Sequence, residues 1–127
     1  MLTAGGDTQT WLWWLDALLP AVAVGPVLEE FVFRAVVLVA VYQVLRRPIG
    51  SRSAGLTALL ASTGGFVILH AAFASLSLAD AMSFVLVGAA CSGIVLYTGR
   101  IWGAVFAHMC YNGLYLLLAS AGTILAV

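Results

Sequence analysis

Charge is what this sequence has least of. Only 8% of its 127 residues are charged, lysine is absent, and 64% are hydrophobic. Average soluble domains carry about a quarter charged residues, so the composition excludes an ordinary soluble domain and indicates an integral membrane protein. The formal net charge is zero, so the sequence lacks the excess of basic residues that nucleic-acid binding requires. We therefore expect membrane lipids as the surroundings and no nucleic-acid partner.

Cysteines are few, and several catalytic motifs are missing. Cys91 and Cys110 both lie in apolar runs and form no CxxC pair, so we expect both to be buried as small hydrophobic residues. The sequence contains no GxSxG, HExxH or GxxxxGK[ST] pattern. This removes support for a serine hydrolase, a zincin or a P-loop NTPase.

Four apolar segments have the length and composition of membrane-spanning helices. They cover residues 26–45, 55–73, 81–97 and 102–119. A further apolar segment, residues 11–24, would reach only about 21 Å as a helix and is broken by Asp16 and Pro20. We expect it to be interfacial or half-inserted, with its tryptophans at the headgroup level. The sequence thus predicts an all-α, polytopic transmembrane bundle of about four spanning helices plus a short N-terminal interfacial helix, divided into residues 1–25 and a core at 26–127.

Small residues predict where these helices approach one another closely. Gly64 and Gly65 allow a kink or a close helix contact in the second segment. Ala89 and Gly93 form a small-xxx-small spacing in the third segment, which favours tight helix packing.

The arginines predict the orientation of the bundle. Four of the five lie in two loops, residues 46–52 and 98–101, and two predicted spans separate these loops. The loop between them carries Asp80 and no base. Because cytoplasmic loops are enriched in arginine and lysine, we expect a multi-pass membrane protein with both arginine loops in the cytoplasm.

The remaining ionisable groups are concentrated inside the apolar segments, beginning with Glu29, Glu30 and Arg34. Such groups are costly at membrane depth and are usually retained there as parts of a site. Glu30 and Arg34 are four residues apart with the acid first, the favourable order for an ion pair on a helix. Glu29 is rotated by about 100° and faces another direction. Two readings follow: a charge pair that anchors the helix end, or a site in which Glu29 is a general base.

Two histidines follow in later segments. Phe66 lies one turn before His70 on the same face, so its ring can pack against the imidazole. His108 and Asn112 are also four residues apart, and two donors side by side can stabilise a developing oxyanion. Each pair has a structural alternative, because such side chains commonly form hydrogen bonds between membrane helices. The three clusters together indicate a site, since their joint placement by chance is improbable.

At these residues the chain resembles the CPBP family of intramembrane proteases, which includes CAAX prenyl endopeptidases and bacteriocin-processing enzymes. That family is marked by EExxxR, FxxxH and HxxxN/D motifs in successive transmembrane helices. This sequence has EEFVFR at 29–34, FVILH at 66–70 and HMCYN at 108–112, in the same order. The resemblance covers about residues 26–118, most of the chain.

The resemblance implies a role for each motif residue. Glu29 would activate the attacking water, and His70 would help to hold and polarise it. His108 and Asn112 would stabilise the tetrahedral oxyanion. The supporting residues would be Glu30, Arg34 and Phe66.

No cofactor is required for this mechanism. The alternative is a zinc ion bound by Glu29, His70 and His108, which could offer one oxygen and two nitrogen ligands. A glutamate that ligates zinc cannot also act freely as a base, so we favour the reading in which no residue is a metal ligand.

We therefore predict an intramembrane endopeptidase, similar to CAAX prenyl proteases, that hydrolyses a peptide or membrane-protein substrate with a glutamate-activated water. One alternative is a non-catalytic membrane scaffold or immunity-type protein in which the same polar cluster locks helices together. Another is a small proton-coupled transporter or channel subunit. Because members of the family usually have more spans, we also expect a homo-oligomer.

Straight helices would place the motifs at different depths. Glu29 and His70 lie 17 and 18 residues from the nearest arginine of the loop at 46–52, or about 26 Å along a helix. His108 is only eight residues from Arg100, or about 12 Å. Helix tilt, a kink at the glycine pair or a last turn that dips into the membrane would have to close this gap.

Overall fold

The computed structural model describes Leu12 and residues 14–125, and this part of the chain is helical apart from short turns, without strands. We number four helical segments. They are α1 (residues 14–45), α2 (Ser51–Phe73), α3 (Leu78–Thr98) and α4 (Trp102–Leu125). The predicted all-α fold class is confirmed.

Helix α1 alternates between α-helical and wider π-helical turns. The α-helical turns cover Gly25–Glu30 and Val39–Leu45, and the π-helical turns cover Trp14–Leu18, Pro20–Val24 and Phe31–Leu38. A proline inside a helix normally removes a hydrogen bond and kinks the chain. Here the Gly25 N–H donates to the Pro20 carbonyl, five residues back, and the helix continues. The expected break at Pro20 and the expected helix start at Pro26 are therefore wrong.

Three helices of the described chain are long and apolar enough to cross a membrane. They are Ser51–Phe73, Leu78–Thr98 and Trp102–Gly122. In α1 the π-helical turns interrupt the α-helix, so the fourth predicted span, within α1, stays a prediction. The division at residue 25 is also untested, and Trp11 and Trp13, which were expected at the headgroup level, lie outside the described residues.

The ends of the spanning helices are set by local signals that lengthen them beyond the predicted limits. Helix α2 follows Gly50, whose φ of +82° suits glycine. Helix α3 begins with a capping box, in which Ser77 and Asp80 exchange side-chain and backbone hydrogen bonds. It ends at Gly99, in the left-handed conformation with φ +67°.

Small side chains let the helices pack closely, although not at every predicted position. A Cβ on Gly88 would lie 3.0 Å from Thr63 Cγ2, so α2 and α3 meet there. A Cβ on Gly93 would meet nothing within 4 Å, so the expectation of tight packing at that glycine is wrong within this chain. Cys91 is buried as expected, whereas Cys110 is exposed on the surface of the bundle.

The predicted difference in depth between the motifs is resolved by the way α4 crosses α1. Trp102, the first residue of α4, packs edge-on against Phe31, with ring centroids 6.2 Å apart. Six residues later, His108 hydrogen-bonds to Glu30. Helix α2 remains α-helical through both central glycines. Contact between α1 and the first two turns of α4 therefore brings His108 to the level of the glutamates.

Candidate active site

A buried ionic network links three of the four helices. Glu30 is fully buried, and its Oε1 lies 3.1 Å from Arg34 Nη1 and 2.8 Å from His108 Nδ1. Arg34 Nη2 donates to the carbonyl of Gly88 at 3.0 Å. The Glu30–Arg34 ion pair expected from their spacing is therefore confirmed, and it also fastens α1 to α3 and α4.

Arg34 needs several partners because an isolated buried charge is very costly. Its guanidinium carbon lies 5.0 Å from the ring centroid of Phe66, a distance typical of a cation–π contact. A Cβ on Gly88 would lie 3.5 Å from Arg34 Nη2 and still closer to Thr63. Gly88 therefore gives the arginine access to the α3 backbone. The sequence offered no sign of this role, since nothing local to Gly88 distinguishes it from Gly93, the other glycine of α3.

Glu29 lies beside the network and is oriented differently from Glu30. Its side chain is 26% exposed, whereas that of Glu30 is fully buried. Glu29 Oε1 is 3.9 Å from His70 Nε2, and Oε2 is 3.6 Å from His108 Nε2. Direct N–H···O hydrogen bonds measure about 2.7–3.2 Å, and polar groups more than about 3.5 Å apart are commonly bridged by water. Glu29 is thus placed to share a water with a histidine.

His70 is held in a defined orientation and tautomer. Its Nδ1 lies 2.9 Å from the carbonyl oxygen of Phe66. Because a carbonyl can only accept, Nδ1 carries the hydrogen, and in the neutral ring Nε2 is an acceptor facing Glu29. The imidazole packs against both Phe66 and Phe84, with each ring centroid 4.5 Å away, and the two phenyl rings also contact each other at 6.0 Å. The packing of Phe66 against His70 was expected, but Phe84 belongs to no motif and could not be identified from the sequence.

His108, like His70, is oriented through its Nδ1 atom. Nδ1 contacts the Glu30 carboxylate, so Nε2 faces Glu29. The cluster then holds two carboxylates and one permanent cation, Arg34.

Asn112 makes a contact that the sequence did not indicate. Its Nδ2 donates to the carbonyl of Ala21 at 2.9 Å. In an i→i+5 turn that carbonyl would accept from residue 26, but Pro26 has no N–H, and the N–H of Gly25 is used by the Pro20 carbonyl. Asn112 therefore supplies the donor that Pro26 lacks. Its role in binding an oxyanion stays a prediction.

A cavity of about 280 Å³ opens beside the histidines. Its wall includes His70, His108 and Asn112, together with Phe84 and Tyr111. Glu29 lies behind the two histidines and does not itself line the wall. A larger cavity, of about 650 Å³, lies at the arginine-loop end of the bundle and contains none of these residues.

The donor set does not make a metal site in this conformation. Within residues 14–125, no three histidine, cysteine, aspartate or glutamate side chains are arranged to hold a metal ion. The zinc alternative at Glu29, His70 and His108 stays a prediction.

A helical membrane bundle that gathers two glutamates, an arginine and two histidines from three helices has the architecture expected of an intramembrane protease. A family model described as Type II CAAX prenyl endopeptidase Rce1-like matches residues 10–114. The chain belongs to this family of protease-type membrane enzymes, which confirms the resemblance seen in the motifs. Searches of curated proteins and of solved structures gave no match.

Proposed function

We propose that the protein is an intramembrane endopeptidase in which Glu29 activates a water for attack on a peptide carbonyl. The observation that carries this proposal is the position of the Glu29 carboxylate, 3.9 Å from His70 Nε2 and 3.6 Å from His108 Nε2. A carboxylate held with its neighbours beyond hydrogen-bonding distance contributes little to packing. The same spacing suits a bridging water.

The reaction begins with a water held between Glu29 and the acceptor nitrogen of His70. Glu29 takes a proton as the water oxygen bonds to the substrate carbonyl carbon, and an oxyanion forms. Protonated His108 donates to that oxyanion from Nε2, with the second amide hydrogen of Asn112 as a further donor. Collapse of the intermediate breaks the C–N bond, and Glu29 passes its proton to the leaving amine.

The remaining motif residues are positioning groups in this mechanism. Glu30 fixes the His108 ring, in the way that a carboxylate orients a catalytic histidine. Arg34 holds Glu30 through the ion pair, and Phe66 holds His70 through the carbonyl bond and ring contact.

The substrate is a peptide or membrane protein, with a CAAX-type sequence as the first candidate because of the family. The arginine loops at 46–52 and 98–101 face the cytoplasm in this proposal, following the charge asymmetry. The cavity beside the histidines then opens at the other end of α2, since His70 lies one turn from its C-terminal end.

The scaffold alternative draws on the same network, because Glu30, Arg34 and Asn112 all fasten helices together. A cleavage assay separates the two functions. Purified protein in lipid vesicles is incubated with peptides ending in a prenylated cysteine sequence, with the matched unprenylated peptides, and with a transmembrane peptide. We expect cleavage of at least one class, at a rate unchanged by EDTA or 1,10-phenanthroline. Absence of cleavage for every class would favour the scaffold, and a loss with chelator that zinc restores would favour the metal mechanism.

A further inference from the structure

The larger cavity lies away from the polar network, at the end of the bundle that carries most of the arginines. We call it the arginine-end groove. Its apolar wall includes Leu38 of α1, Leu59 of α2 and Val95 of α3, and Arg52 stands at its rim with Tyr42. The volume of about 650 Å³ is within the range of about 300–1,000 Å³ typical of small-molecule sites.

The charges at this end have no counterpart within the described chain. Arg46, Arg47 and Arg52 fall within seven residues, and none forms an ion pair with a described residue. The whole sequence has no acidic residue between Glu30 and Asp80. Of these three arginines Arg52 lines the groove, and any counter-charge for them must come from outside the described residues.

We propose that the arginine-end groove binds one anionic phospholipid. An acyl chain lies against the apolar wall, and the phosphate is bound by Arg52 together with Arg46 or Arg47. Guanidinium groups bind phosphate through paired, charge-assisted hydrogen bonds, and basic pockets between membrane helices recognise anionic headgroups. Tyr42 and Ser51 also line the groove, and their hydroxyl groups are candidate further donors. This proposal does not depend on the proteolytic function.

The groove owes part of its depth to glycine. Gly55 lines it, and a Cβ added there would meet nothing within 4 Å. A leucine at this position would therefore extend into the groove and displace an acyl chain without altering any charge. Gly64, on the same helix, also has open space around an added Cβ but does not line the groove, so Gly64→Leu is a matched control.

Native mass spectrometry of the full chain tests the proposal. The protein is titrated in detergent with phosphatidylglycerol and with phosphatidylcholine of identical acyl chains. We expect one phosphatidylglycerol to bind at least tenfold more tightly than phosphatidylcholine. Arg52→Gln should weaken phosphatidylglycerol binding about fivefold, since each arginine near an anionic headgroup contributes about 1 kcal/mol, and Arg52→Lys should keep most of it. Soluble glycerol phosphate should not compete, because it lacks the chain that fills the groove.

The glycine variants distinguish a lipid seated in the groove from anionic lipid that is only attracted to the arginines. Gly55→Leu should remove the tightly bound lipid, whereas Gly64→Leu should bind it as the wild type does, with helix content checked by circular dichroism. Equal binding of the two lipids by the wild type would overturn the proposal. So would unchanged binding by Gly55→Leu, or competition by glycerol phosphate, which would indicate a phosphate site with no lipid specificity.

Discussion

Two adjacent glutamates illustrate how the site arises at the scale of single residues. Glu29 and Glu30 carry the same side chain, but one helical step rotates one of them away from the other. Glu30 is fully buried in an ionic network, and Glu29 is partly exposed beside two histidines. The sequence was sufficient to predict this difference, because the spacing to Arg34 assigned the ion pair to Glu30 and left Glu29 facing elsewhere.

The contact of Asn112 with the Ala21 carbonyl could not be predicted, because it depends on the backbone N–H that Pro26 lacks, far away in the sequence. If Asn112 serves as the donor that Pro26 lacks, Asn112→Ala should destabilise the protein by about 0.5–1.5 kcal/mol, the net contribution of a typical hydrogen bond. Pro26→Ala restores an N–H at that position and should reduce the loss. A double-mutant cycle measured by unfolding in mixed micelles should give a coupling of about 1 kcal/mol.

The same cycle, repeated in a cleavage assay, separates the two roles of Asn112. Restoring the N–H at residue 26 cannot replace an oxyanion donor in the cavity. Activity should therefore stay low in the double variant even where stability recovers. Additive losses of stability would contradict the capping role, and recovery of full activity together with stability would contradict the role in catalysis.

At the scale of elements, helix α1 departs most from what the sequence predicts. Its apolar pattern and prolines indicated a break at Pro20 and a new helix at Pro26, yet the chain stays helical by using π-helical turns. Proline rules describe α-helical bonding, in which a lost N–H is expensive. A wider turn and a hydrogen-bond donor from α4 remove this energetic cost. Neither can be inferred from the residues that surround the prolines in the sequence. The other three helices were predicted at the right places, although the turn and capping residues beside them make them longer than predicted.

Helix α3 supplies a prediction about close packing. Gly88→Ala places a methyl group 3.0 Å from Thr63 Cγ2 and 3.5 Å from Arg34 Nη2, so α2 and α3 must separate slightly. We expect a loss of about 1–3 kcal/mol, as for other overpacked positions. Gly93→Ala on the same helix meets nothing within 4 Å and should be neutral or slightly stabilising. Thermal unfolding in detergent compares the two variants, and equal midpoints would contradict the packing described here.

At the scale of the whole molecule, the bundle exposes a large apolar surface. Large hydrophobic side chains are exposed on all four helices, among them Val36, Leu60, Leu86 and Leu117. Outward-facing apolar side chains are expected where lipid replaces water. The sequence could predict the membrane class from composition alone. It could not predict the depth of His108, which follows from the way α4 crosses α1.

The predicted homo-oligomer belongs to this scale as well. With three clear spans and a fourth predicted within α1, the bundle leaves many apolar side chains exposed, and a second copy can cover part of that surface. We expect two or more photobleaching steps per spot for a fluorescent-protein fusion in native membrane vesicles at low expression. A monomeric membrane protein carrying the same fusion serves as the reference. Single-step bleaching throughout, matching that reference, would contradict the oligomer.

In the proposed mechanism Glu29 performs the chemistry, whereas Glu30 maintains the structure. The most direct test of this division is the cleavage rate of purified Glu29→Gln, measured beside its unfolding midpoint, once a substrate has been found. We predict that cleavage falls by a factor of about 10² to 10⁴, the contribution typical of a general base, while stability changes by less than about 1 kcal/mol. A variant that retains cleavage, or one that unfolds in proportion to its lost activity, would contradict the account.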